Sequence, residues 1–283
     1  MHGMSGDSGF WLSAGEKNAM GFFMVQQGFD VWLGNNRGNR YSKAHTNPKI
    51  SQYDYYQMSF ENYGIYDIPG FYQKIFEFYQ DKDQKIIYMA HSQGNSQMFA
   101  GLLDSRSKAY LIKHTERFFA FAPIVFMTKI DKTRQGAAKT FSPLYNVADW
   151  LSWAIDIYWI GDKYGGSPLY AALHYAQLIA GDKGKPVFRK YDYGWISNKY
   201  HYGCFGGPPE WNLGDFPKSV PLTMQGNSDD DLASPANLDD LLDHLGRDYY
   251  KIDYVEGWGH NNIFANEDKT PIYNIIKRDL DLG

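Results

Sequence analysis

Ile86-Ile87-Tyr88-Met89-Ala90-His91-Ser92-Gln93-Gly94-Asn95 is an apolar, β-branched run that ends in small-x-Ser-x-Gly and leads directly into helix-forming sequence. It predicts a nucleophile elbow, a strand-to-helix turn so tight that the serine backbone is strained. Only small residues fit two before and two after the serine, and Ala90 and Gly94 meet that demand. The strain lifts the Ser92 hydroxyl clear of the sheet at the start of a helix. There, unpaired backbone N–H groups and the helix dipole favour a developing negative charge. The five-residue pattern recurs by chance when alanine is allowed at its first position. The strand at Lys85–His91 and the helix from Gln93 to about Leu103 therefore carry the reading.

Outward from the elbow, strands alternate with helices. Gly28-Phe29-Asp30-Val31-Trp32-Leu33-Gly34 reads as a buried strand bounded by glycines, followed by a turn at Asn35–Asn39. Asp67 suits a helix cap and Pro69 a first turn, with Ile68, Phe71, Ile75 and Phe78 as an apolar stripe. Arg117–Pro123 reads as another strand. After Ile124 the pattern becomes a mixed, aromatic-rich tract that lasts until about Phe216. Alternation then resumes with a strand at Val220–Gly226, a helix at Pro235–Leu245, a strand at Tyr249–Val255 and a helix at Pro271–Leu280. These elements predict an α/β fold with a mostly parallel sheet and helices on both faces. The expected division is a first core part over 1–125, an inserted, shortened cap or lid over 126–215, and a second core part over 216–283.

Composition narrows the function classes. The chain has 283 residues, a net charge of −4 and no Lys/Arg cluster, which argues against a nucleic-acid surface. The single cysteine, Cys204, cannot form an internal disulfide and reads as a buried thiol. Aromatic residues make up 17% of the chain, more than a bare core needs, so many are expected to line a pocket or interface. No apolar run has the length to span a bilayer, and the Met1-His2-Gly3-Met4 start lacks the regions of a signal peptide.

A serine hydroxyl becomes a competent nucleophile when a base takes its proton, and an acid orients that base and stabilises its charge. In open α/β sheets, ligands sit at the carboxyl ends of the strands. Gln225-Gly226-Asn227-Ser228-Asp229-Asp230-Asp231 places carboxylates past one strand end, and Gly257-Trp258-Gly259-His260 places a histidine past the next. The order Ser, Asp, His is that of the α/β-hydrolase fold. Asp229 and Asp230 both remain candidates for the acid on this reading. His2, His45, His91, His114, His174 and His201 show no metal-ligand spacing, so no metal and no cofactor is expected.

The chain resembles the acid lipases, the gastric and lysosomal lipase and sterol-esterase group. That family's G-H-S-Q-G elbow stands here as Ala90-His91-Ser92-Gln93-Gly94, and its D-V-W-L-G-N-x-R-G-N segment as Asp30 to Asn39. His2-Gly3 is like the oxyanion H-G-L, Tyr66-Asp67-Ile68-Pro69 like Y-D-L-P, and Leu232-Ala233-Ser234-Pro235 like L-A-D-P. The resemblance implies hydrolysis of triacylglycerols or sterol esters. Ser92 would be the nucleophile, His260 the general base, and the backbone N–H groups of Met4 and Gln93 the oxyanion hole. Counting from Pro221 and back from Ala233-Ser234-Pro235 favours Asp230 as the acid, whereas counting from Gly226 gives Asp229. The resemblance also implies a lysosomal or secreted location and an N-terminal group of strands ahead of the His-Gly motif.

Two expectations concern partners. Asp149 to Ile160 reads as a helix with Trp150, Trp153 and Trp159 against a narrow polar stripe, either interfacial and poised to touch a lipid aggregate or membrane surface, or packed within the cap. The chain starts at the His-Gly motif, so a sheet edge is expected to lie open to a protein partner. The rival reading is a catalytically impaired, lipase-like subunit with a structural or lipid-binding role. Arg37 reads as a structural stitch for its loop, and His91 as packed scaffold.

Overall fold

A computed structural model describes residues 1–133, 136, 159–160, 165–181, 185–203 and 205–282, with the backbone alone at 159–160. Its strands are β1 (Ile86–His91), β2 (Thr115–Phe121), β3 (Trp159–Ile160), β4 (Ser167–Pro168), β5 (Leu222–Asn227) and β6 (Ile252–Val255). The helices used below are α1 (Met20–Gln26), α2 (Ile68–Tyr79), α3 (Gln93–Leu103), α4 (Lys108–His114), α5 (Leu169–Ala180), α6 (Ser197–Tyr202), α7 (Pro235–Leu245) and α8 (Thr270–Asp279).

Four strands form one parallel sheet in the order β1-β2-β5-β6. A parallel sheet is covered on both faces, so its central strand is apolar on both sides. β2 follows that rule. Phe118 and Ala120 pack with α2, α3, α4 and α7, while Phe119 and Phe121 pack with Met20, Phe23 and Met24 of α1 and Ile272 and Ile276 of α8. The strands run parallel, so their carboxyl ends and the loops after them share one edge of the sheet.

Helix α3 is enclosed on every side: residues Gln93 to Leu102 are all buried. A buried polar group is costly unless it is bonded. Asn95 Nδ2 accordingly donates to the Phe121 carbonyl at 2.8 Å, Gln97 Nε2 to the Tyr88 hydroxyl at 2.9 Å, and Ser96 Oγ lies 2.7 Å from the Tyr175 hydroxyl. A π turn at Tyr63–Asp67 crosses α3 with backbone nearly touching backbone at Gly64 and Gly101.

Three sequence expectations fail here for a physical reason. Gly28–Gly34 is not a strand, and among the described residues no backbone hydrogen bond joins Asp30–Gly34 to another segment. The segment faces β1 across a cavity of about 790 Å³ lined by Phe29, Val31, Leu33, Ile87 and Met89. A strand needs a ladder partner as well as a pattern, and among the described residues Met1 alone reaches that edge of β1, its carbonyl accepting from His91 N–H at 3.1 Å. Asp67, expected as a helix cap, makes no capping bond. It accepts instead from Arg37, through the backbone N–H at 3.0 Å and the guanidinium. Phe78, expected in the buried stripe of α2, is exposed, and Tyr72 and Phe76 hold the core side of the helix together with Ile68.

The expected interfacial helix does not continue to its last residues: Trp159 and Ile160 pair antiparallel with Ser167 and Pro168. Pairing satisfies their backbone groups, and both residue types suit strands. Trp150, Trp153 and Cys204 lie outside the described residues. Phe126, Met127, Tyr175, Leu178, Phe188, Trp211 and Leu213, all within the tract expected as a cap, pack into the same apolar cluster as α3.

Glu61 sits in the seam between this tract and the sheet. It is buried, and one of its oxygens accepts from Tyr191 N–H at 3.0 Å. Burial pushes its carboxyl up to about 7, against the pull of that bond and of the Lys190 and Arg106 charges, with Asp104 pushing further up. Between the ordinary value of 4.5 and about 7 the folded chain holds a proton that the unfolded chain has released. Glu61 therefore favours folding at acid pH, and that contribution, about 3 kcal/mol at most, is lost as pH rises through this window. His2, His91 and His174 are held down to about 4, 3 and 3 by burial and act in the opposite sense, costing stability as pH falls below 6.5. They are common to the parent and to Glu61→Gln. Urea midpoints of the pair are thus expected to diverge in favour of the variant between about pH 5 and about pH 8. Parallel curves would contradict this role.

Candidate active site

The strand-to-helix turn after β1 places Ser92 at φ 54° and ψ −121°, in a region that L-residues rarely occupy. Two neighbours explain how the turn closes. Ala90 is fully buried, and a Cβ on Gly94 would stand 2.8 Å from the Met1 carbonyl oxygen and 3.0 Å from that of His2. The Ser92 N–H donates to the Phe121 carbonyl at 3.2 Å, which pins the strained residue to the end of β2.

Two loops at the neighbouring strand ends bring the partners. His260 Nε2 lies 2.8 Å from Ser92 Oγ, and His260 Nδ1 lies 2.8 Å from Asp230 Oδ2. A carboxylate accepts only, so Nδ1 carries the hydrogen and Nε2 is free to accept the serine proton. The other oxygen of Asp230 accepts from the N–H groups of Leu232 and Ala233 at 2.9 and 2.8 Å. Burial pushes the Asp230 carboxyl up, but the His260 bond and these two N–H groups outweigh it and hold the pKa below the ordinary value. Asp229 is exposed and turns to Ser228 Oγ at 2.9 Å. The structure thus brings Asp230, not Asp229, to the histidine.

On the other side of Ser92 runs the N-terminal segment. A Cβ on Gly3 would lie 3.0 Å from Ser92 Cβ and 3.4 Å from Oγ, so a side chain there would crowd the hydroxyl. His2 braces the approach. Its Nδ1–H donates to the Gly3 carbonyl at 2.8 Å, and Nε2 accepts from Asn36 N–H at 3.2 Å. Met4 follows directly and is partly exposed. Gln93 opens α3, and the N–H of a first helical residue has no partner within its helix. Gln93 thus directly follows Ser92 in the chain, and Met4 directly follows Gly3, the residue whose backbone approaches the hydroxyl.

Three supporting residues carry no sequence signal as site residues. Asn227 Nδ2 donates to the Gly259 carbonyl at 3.1 Å, tying the acid loop to the histidine loop. Gly259 N–H in turn reaches Asn262 Oδ1 at 2.9 Å. His91 Nε2 lies 2.8 Å from the His260 carbonyl, and because a carbonyl accepts, the ring donates. Burial and the neighbouring His260 push the His91 pKa down to about 3, so the ring stays neutral. His91→Ala is expected to lower kcat about tenfold with little change in KM, through loss of His260 positioning, read as initial rates on a soluble ester. An unchanged kcat would show that the carbonyl bond does not position the base.

Among the described residues, no group of three or more His, Cys, Asp or Glu side chains could hold a metal ion, and no helix is long and apolar enough to cross a membrane. Chemically, the arrangement is a serine hydroxyl hydrogen-bonded to a histidine that a buried carboxylate orients, which suits nucleophilic attack.

No family model matches the chain. It is 37% identical over 123 residues to a Caenorhabditis elegans protein, lipase lipl-3, across 44% of this chain and 30% of that protein. It is 24% identical to the Macaca fascicularis lysosomal acid lipase/cholesteryl ester hydrolase, across 86% of this chain and 69% of the relative. The stronger local match thus spans under a third of its relative's length. Among solved structures, the monoacylglycerol lipase of Paleococcus ferrophilus superposes with a TM-score of 0.54 at 12% identity, covering 100% of this chain and 91% of the other, a likeness of fold. The chain is thus similar in sequence to acid lipases, and its parallel sheet and elbow are those of the α/β-hydrolase fold.

Proposed function

We propose that this chain is a serine hydrolase of lipid carboxylic esters, triacylglycerols or sterol esters, working by acyl transfer through Ser92, His260 and Asp230. The observation that carries the reading is the unbroken run of 2.8 Å contacts from Ser92 Oγ through the His260 ring to buried Asp230. Ser92 Oγ attacks the ester carbonyl carbon while His260 Nε2 takes its proton, and Asp230 stabilises the imidazolium. The carbonyl oxygen, now negative, accepts from the N–H groups of Met4 and Gln93. The C–O bond to the alcohol breaks as His260 returns the proton to the leaving oxygen. Water then attacks the acyl-serine, His260 takes its proton, and the fatty acid departs as Ser92 regains its hydrogen. The relative named as a cholesteryl ester hydrolase supports the lipid-ester class. In this reading residues 126–215 form the cap over the site.

Fatty-acid release from emulsions of trioleoylglycerol and cholesteryl oleate tests the proposal. Release by the parent, with none from Ser92→Ala, is expected. A folded parent that leaves both esters intact would sink it.

A second reading is favoured by one observation, the apolar cavity between β1 and residues 29–35. In this reading a protein partner lays an extended segment along the open edge of β1 and the chain serves as a subunit. The same release assay separates the two readings.

A further inference from the structure

Large apolar side chains crowd the surface in one stretch that the serine site does not use. Trp195 is 62% exposed, Ile196 62%, Tyr200 84% and Phe205 58%. Single exposed apolar residues are ordinary, but four around one short helix make a patch. The Trp195 and Phe205 rings lie 4.8 Å apart, and Lys199 Nζ stands 5.3 Å from the Phe205 ring.

The stretch is held rigidly from beneath, so its exposure is a built feature. Asn198, on α6, is fully buried. It donates to Asp192 Oδ1 at 2.9 Å and to the Gly206 carbonyl at 2.6 Å, and it accepts from Tyr193 N–H at 3.0 Å. His201 stacks on Tyr193 with ring centroids 3.6 Å apart. These contacts tie both ends of the loop and leave Trp195, Ile196, Tyr200 and Phe205 facing outward.

Charge selects the occupant. In a chain of net charge −4, residues 193–207 hold Lys199 and His201 and no Asp or Glu. Tryptophan and tyrosine favour the water–lipid boundary, and a lysine beside them can reach headgroup phosphates. We propose that the loop carrying Trp195, Ile196, Tyr200 and Phe205 docks the protein on an anionic lipid surface, with Lys199 at the level of the phosphates. In sequence this loop is distinct from the Trp150–Trp159 segment. The inference rests on the lipid-ester reading for its purpose, but binding itself is read without turnover.

The test floats the full chain, carrying Ser92→Ala so that no lipid is consumed, with vesicles of phosphatidylcholine with or without phosphatidylserine. The expected result is partition onto the serine-lipid vesicles that falls at least about tenfold in Trp195→Ser/Phe205→Ser. Lys199→Glu should remove the preference for anionic vesicles, and Trp195→Phe should retain most binding. Circular dichroism and melting curves matching the parent would show that the substituted proteins are folded. A parent that stays off every vesicle, or a double variant that partitions like the parent, overturns the proposal. So does a parent dimer in gel filtration that the double variant dissolves and vesicles fail to displace, because the patch would then seat a second copy. Vesicle binding by a chain that hydrolyses no ester would remove the functional reading and leave this one standing.

Discussion

Ser92→Ala is expected to lower kcat on a lipid ester by about 10⁶-fold, and Asp230→Asn by about 10⁴-fold, while Asp229→Asn changes it less than about threefold. The ranking follows from contacts. Ser92 supplies the atom that bonds to the acyl carbon, so nothing replaces it. Asp230 fixes the hydrogen on His260 Nδ1 across 2.8 Å. An amide there can present its NH₂ to the ring and favour the wrong tautomer, leaving Nε2 protonated and unable to accept from the serine. Asp229 is exposed and meets Ser228, so its charge acts through water. Initial rates of fatty-acid release for the three variants read the ranking. A larger loss at Asp229 than at Asp230 would reassign the acid.

Gly64→Ala is expected to destabilise the fold by about 3 kcal/mol, a fall in melting temperature of about 10 °C. A Cβ there would sit 2.1 Å from the Gln97 carbonyl oxygen and 2.9 Å from Gly101 N. Both obstacles are backbone atoms of α3, so no side chain can swing aside and the two segments must move apart. Moving α3 also shifts its first turn, where Gln93 borders Ser92. Gly70 offers the contrast. It is an exposed glycine inside α2 with nothing within 4 Å of a built Cβ. Gly70→Ala should therefore stabilise by about 0.5–1 kcal/mol through the lost freedom of the unfolded chain. Thermal melts of the two variants beside the parent decide the matter, and a Gly64→Ala melt equal to the parent would refute the close crossing.

The elbow was legible in the sequence because its geometry restricts residue types. A serine at φ 54° closes only between small neighbours, and that demand is written at Ala90 and Gly94. The strands and helices that position the loops were legible from apolar periodicity, as with Pro235–Leu245. Where reading failed, pairing decided the outcome. Asp30–Gly34 has a strand's composition but finds no ladder among the described residues. Trp159 and Ile160 read as helix and pair with Ser167 and Pro168. Asp229 and Asp230 differ by one residue, and no local pattern says which of them turns toward His260. Asn227 and His91 act through contacts between distant segments, so their roles leave no periodic or local mark. Glu61 is silent for the same reason: its burial depends on Tyr191, 130 residues away.

The central claim is that Ser92 is an activated nucleophile paired with His260 and Asp230, and its most direct test is covalent labelling by a fluorophosphonate. The parent is expected to label at Ser92, Ser92→Ala to remain unlabelled, Asp230→Asn to label far more slowly, and Asp229→Asn to keep pace with the parent. A folded parent that takes no label, or a Ser92→Ala protein that labels like the parent, would contradict the account.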